Sequence, residues 1–148
     1  MSYFGIVATF CEDIRAEASG QETLVGVFAD NLAVPSVPIR LPKLAIFVRC
    51  NFSLDFKLKS LANTFHEPDG SQILELPVEA ELIAKAIEES KRDGSPIFGI
   101  KTSAIFNPFP VKLLGRYTFL SHVNGEKYVT GTLNFQVQPS STASPQQP

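Results

Sequence analysis

Cys11, Cys50, His66 and His122 are all the cysteines and histidines of the chain, and with its carboxylates they make up its stock of nucleophiles, bases and soft metal ligands. A metal site needs several such ligands converging on one point. A reactive thiol needs a nearby base or positive charge. Cys11 is followed instead by Glu12 and Asp13, which disfavour a thiolate. His66-Glu67-Pro68-Asp69 gathers one imidazole and two carboxylates in a single turn, although a solvated turn is the plainer reading. His122 stands two residues before a hairpin turn and reads as a surface strand residue. The segment from Gly94 to Thr102 has the outline of a phosphate loop, but Pro96 interrupts it and a strand follows where a helix is required.

Three further groups could make a surface for recognition. Glu12, Asp13 and Arg15 are the densest polar constellation. They read either as a bulge whose carboxylates accept backbone N–H groups and pair with Arg15, or as a recognition surface at one end of the first hairpin. Phe106 and Phe109 flank Asn107-Pro108. Exposed, two such rings would form a partner site; buried, they would plug one end of the fold. Arg49, Lys57 and Lys59 lie on the polar face of an alternating run and give it a mild positive stripe. On an edge strand such residues block unwanted pairing.

These groups must be held by strands. Leu44, Ile46, Val48, Cys50, Phe52, Leu54, Phe56 and Leu58 occupy every second position, with mostly polar residues between. A period of two puts alternate side chains on opposite faces of a strand. As one strand, residues 43–59 would reach about 50 Å, against a usual ~17–20 Å. The run must therefore bend, break or switch sheets. Phe4, Ile6, Ala8 and Phe10 mark an earlier strand, Leu24 to Ala29 its hairpin partner, and Pro35, Pro38 and Pro42 a crossing loop or protected edge. Shorter alternations follow at 73–76, 96–106, 115–123 and 127–137, the last two joined by Asn124-Gly125, a strong hairpin signal. Between them Val78, Leu82, Ile83, Ala86 and Ile87 form a helical stripe over 78–92. Glu79 and Glu81 stand at its start, Lys91 and Arg92 at its end, and Gly94 beyond.

The expected fold is a mainly β, two-sheet immunoglobulin-like sandwich of about seven strands with one inserted helix. It would occupy residues 1–138 as a single domain, and the polar segment 139–148 would be a disordered tail. The apolar fraction of 44% and twelve Phe suffice for a core. Net charge is −2 with dispersed basic residues, so no basic surface for nucleic acid is indicated. No stretch approaches the roughly 20 apolar residues of a membrane span. The N-terminus lacks the marks of a signal peptide, so the expected location is cytoplasmic, with both thiols reduced and buried.

Two resemblances add to this. Leu114-Gly115-Arg116-Tyr117-Thr118-Phe119, followed by the Asn-Gly hairpin and Leu133-Asn134-Phe135-Gln136-Val137, resembles the closing strands of immunoglobulin-like domains. That resemblance implies that the Tyr117 hydroxyl caps nearby backbone. Cys11-Glu12-Asp13-Ile14-Arg15, with Leu24-Val25-Gly26-Val27-Phe28 and the Gly115-x-Tyr117-x-Phe119 segment, resembles a family of small uncharacterised bacterial proteins. It implies a β-rich domain and no particular chemistry. Gln21 departs from the usual Lys of that pattern, and the helix at 78–92 has the look of an insertion.

The function expected is a non-enzymatic module for binding a protein partner or a second copy of itself, without a cofactor. The alternatives are a small-ligand or metal-binding enzyme using Glu12 and Asp13, or His66, Glu67 and Asp69, and a phage-derived structural module.

Overall fold

The computed structural model describes residues 2–139. The expected tail, 139–148, lies outside the described residues except for Pro139.

Eleven strands and one helix make up this part of the chain. They are β1 (Phe4–Ala16), β2 (Glu22–Val27), β3 (Asn31–Val34), β4 (Ile39–Leu41), β5 (Leu44–Ser53), β6 (Leu61–His66), β7 (Gln72–Val78), α1 (Ala80–Asp93), β8 (Ile97–Phe106), β9 (Phe109–Val111), β10 (Gly115–Val123) and β11 (Glu126–Val137). Sheet A has the order β2-β1-β5-β8, and sheet B the order β3-β11-β10-β6-β7. β4 and β9 pair as a separate two-stranded ribbon. The expected β-sandwich class is the one found.

The core lies between the two sheets. Alternate residues of sheet A (Ala8, Phe10, Ile46, Val48, Phe52, Phe98) meet those of sheet B (Leu61, Phe65, Tyr117, Phe119, Leu133, Phe135), and all are buried. Phe65 is the hub, with the rings of Phe10, Tyr117, Phe109, Phe119 and Phe106 centred 5.7, 6.0, 6.1, 6.2 and 6.4 Å away. Such pairs add about 0.5–1.5 kcal/mol each beyond the area they bury. β11 approaches β1 closely at Gly131, where a Cβ would sit 2.8 Å from the Cβ of Ala8 and 2.9 Å from its carbonyl oxygen. Only glycine fits there. The Tyr117 hydroxyl donates to the Leu113 carbonyl at 2.9 Å, the backbone cap that its resemblance implied.

Residues 43–59 do not form one strand. β5 ends at Ser53, the Phe56 N–H closes back on the Ser53 carbonyl at 2.8 Å, and the chain crosses to sheet B. The crossing segment is fixed from a distance. Asn124 Oδ1 accepts the Lys59 and Ser60 N–H groups at 2.6 and 3.2 Å, while its Nδ2 donates to the Lys57 carbonyl at 2.9 Å. Asn124 can do this because it turns the β10–β11 hairpin with φ 52°, beside Gly125 at φ 87°. β5 is also an interior strand, hydrogen-bonded to β1 on one side and β8 on the other. It is therefore not the guarded edge that the lysine pattern suggested.

The helix keeps part of its expected stripe: Ile83, Ala86 and Ile87 face the core, but Val78 ends β7 and Leu82 is exposed. The helix runs from Ala80 to Asp93 and ends on Gly94 in the left-handed region, whose N–H bonds the Lys91 carbonyl. The chain leaves sheet B at β7, packs α1 against β8 with Ile83 buried, and enters sheet A. One long side of the sandwich is closed in this way.

Candidate functional site

The opposite long side ends in β2 and β3. Among the described residues each is hydrogen-bonded along one edge only, β2 to β1 and β3 to β11. An unpaired strand edge presents a row of free backbone donors and acceptors. Val25 and Val27 of β2 are 38% and 59% exposed there. Between β2 and the start of β3 lies a pocket of about 380 Å³, lined by Val25, Phe28, Leu32 and Leu41 together with Glu12, Asp13 and Lys43.

The chain builds this edge through the first hairpin. β1 pairs with β5 through Phe4–Cys11 and with β2 through Cys11–Ala16, so its second half continues beyond the partner of its first. The pairing of β1 with β2 keeps one register throughout. The expected bulge at Cys11–Asp13 is thus not an inserted residue. The distortion sits opposite, at Gly26, which takes φ +64° and where a Cβ would collide with the Glu12 carboxyl. Asp13 accepts the Ile14 N–H at 2.9 Å and pairs with Lys43 at 3.2 Å, not with Arg15. The hydrogen bond from Lys43 holds the Asp13 carboxyl below the usual carboxylate range. Glu12 and Arg15 are exposed.

The hairpin tip reaches the outer face of sheet A, where Glu22 pairs with Lys101 of β8 at 2.7 Å. A groove of about 430 Å³ runs between the tip and that face, lined by Gln21, Leu24, Phe47, Arg49, Asn51, Gly99 and Lys101 among others. Arg49 is thus placed in a groove, while Lys57 and Lys59 lie past the end of β5 on the crossing segment. The stripe that joined the three by alternation is broken at Ser53.

Phe109 is buried and Phe106 half-buried. Phe109 is 1% exposed, and Phe106 packs edge-on against it at 5.1 Å. Phe109 therefore offers no ring for a partner to cover.

The two histidines meet on the outer face of sheet B, a proximity that the sequence reading missed. Thr64 Oγ1 lies 2.9 Å from His122 Nε2 and 2.8 Å from His66 Nε2, and His66 Nδ1 donates to the Gly70 carbonyl at 3.3 Å. With Nδ1 of a neutral His66 carrying the proton, Thr64 donates to His66 Nε2 and accepts from His122 Nε2. The signal was the common parity of Thr64, His66 and His122 on the adjacent strands β6 and β10. Asp69 meanwhile accepts the Ser71 N–H at 2.9 Å, which lowers its pKa. Glu12 and Asp13 lie on the β1–β2 hairpin, away from Glu67 and Asp69 in the β6–β7 turn. Among the described residues, no three His, Cys, Asp or Glu side chains are grouped to hold a metal ion.

Neither thiol is placed for nucleophilic work. Cys11 and Cys50 are free and fully buried, burial raises both pKa values, and that of Cys50 reaches about 12.

Residues 6–138 match DUF6941, a family of unknown function. The chain belongs to that family. No curated protein and no solved structure matches it. The DUF6941 match spans both sheets, α1 and the β2–β3 edge alike. Among the described residues of this DUF6941 chain, no helix is long and apolar enough to cross a membrane.

Proposed function

We propose that this chain is a non-enzymatic interaction module of immunoglobulin-like type, and that it engages a protein partner through the β2–β3 side. An extended segment of the partner pairs with the free edge of β2, and one of its apolar side chains enters the adjoining pocket. The observation that carries this reading is the coincidence of an unpaired, valine-bearing edge with an apolar pocket of about 380 Å³ beside it. Strand addition draws affinity from backbone hydrogen bonds and specificity from pockets for alternate side chains. Glu12, next to the pocket and exposed, suits a basic residue on the incoming segment. Arg15, on the same hairpin, would meet the partner at its margin. The parallel pairing of β3 with the last strand, and the Tyr117 bond, support the immunoglobulin-like description. The buried thiols and the dispersed carboxylates support a binding role over catalysis.

The test is a double variant, Val25→Lys with Val27→Lys, which adds two charges at the exposed edge. The partner is recovered by quantitative mass spectrometry of the purified complex, and a self-association is read by light scattering. The variant is expected to keep the wild-type circular dichroism and lose the partner. Retention of the same partner at the same yield would refute the edge as the docking element.

A further inference from the structure

The outer face of sheet A carries a second feature that strand addition does not use. Arg49 of β5 and Lys101 of β8 are direct cross-strand partners, and both project into the groove beneath the hairpin tip. Like charges placed opposite each other on adjacent strands are unfavourable. Glu22 offsets one of them by pairing with Lys101 at 2.7 Å. Arg49 has no hydrogen bond or ion pair to any described residue. A guanidinium with five unused donors, held beside an ammonium, is arranged to accept an oxyanion in bidentate fashion.

The rest of the groove extends the argument from an ion to a molecule. The Asn51 and Gln21 side-chain amides offer further polar contacts, and Leu24 and Phe47 supply apolar surface. Gly99 faces Asn51 across the strands, and a Cβ there would come within 3.2 Å of Asn51 Oδ1. Glycine at this position keeps the floor low. The volume, about 430 Å³, falls in the ~300–1,000 Å³ span of small-molecule sites.

We propose that this groove binds a small organic anion, with its oxyanion on Arg49 and its apolar body against Phe47 and Leu24. The oxyanion is a carboxylate or a phosphate, and the test separates the two.

The experiment titrates the ¹⁵N-labelled chain with phenyl phosphate, benzoate, inorganic phosphate and neutral benzyl alcohol, following the backbone amides of Asn51, Gly99 and Lys101. At least one of the two aromatic anions is expected to shift these amides with a Kd of about 1 mM or tighter. Inorganic phosphate should bind more weakly, and benzyl alcohol should leave the amides unmoved. Binding of benzoate alone assigns a carboxylate, and of phenyl phosphate alone a phosphate. Arg49→Gln should weaken binding by about tenfold or more, since it removes a charge-assisted pair. Arg116→Gln, which removes an exposed arginine of β10, should not. Failure of both aromatic anions to move the groove amides would overturn the proposal. So would an unchanged affinity in Arg49→Gln, or an equal loss in Arg116→Gln.

Discussion

Along β7 and β8 the sandwich is closed by a helix. Along β2 and β3 it stops at two half-paired strands with a pocket between them. On the sealed side Ile83 is 5% exposed and Ala86 and Ile87 pack on the core, while Leu82 of α1 and Ile105 of β8 stay 47% and 49% exposed. The open side carries Val25 and Val27 outward on a strand with a free edge. A strand edge with no described neighbour on one side, in a chain that lays a helix along the other, is what motivates the proposed docking surface.

The contrast can be broken most forcefully from the sealed side. Ile83→Ala should cost about 2–5 kcal/mol in urea unfolding, the usual range for emptying a buried aliphatic site. A loss under about 1 kcal/mol would mean that α1 rests on the sandwich without closing it. The interior between the two sides has its own signature. Burial raises the Cys50 pKa from 9.0 to about 12, so its contribution to stability is complete below pH 9.0 and is lost as pH rises toward 12. Cys50→Ala should therefore flatten the alkaline limb of a stability profile, with Cys11 sustaining the remaining slope. An unchanged limb would place Cys50 in contact with water.

Smaller effects are expected at the open side. Val27→Ala should change folding stability by no more than about 0.5 kcal/mol, as for an exposed position. A loss comparable with that of Ile83→Ala would show that the edge is packed and would remove the contrast. The Asp13–Lys43 pair should produce the smallest change. Its depressed carboxyl pKa stabilises the fold above the ordinary carboxylate range, and that contribution is lost as pH falls through the folded value. Asp13→Asn should erase this acid sensitivity at the hairpin amides, read by hydrogen exchange, and leave α1 unaffected.

The sealed side was far more legible in the sequence than the open one. A helical stripe, charges suited to the dipole and a terminal glycine all act within fifteen or so residues, and each foretold α1. The Asn124-Gly125 turn was equally local. The break in the 43–59 alternation was not. Leu54-Asp55-Phe56 contains neither Gly nor Pro, and its fixing group, Asn124, lies 65 residues from Lys59. The same limit hid the meeting of His66 with His122 and the burial of Phe109, which depend on how distant strands pair. Glu12 and Asp13 stood out as a polar feature, but their setting turned on Gly26 and Lys43 across the hairpin, which no pattern within β1 could reveal. The open edge could not be read at all, because whether a strand has a neighbour is a property of the assembled sheet.

Site-specific photo-crosslinking in cells compares the two sides most directly. A photoreactive residue replaces Val27 on the free edge in one strain and Leu82, an exposed residue of α1, in another. The account predicts a discrete, reproducible adduct from position 27 that is absent from position 82. No adduct at position 27, or the same adduct from both positions, would contradict it.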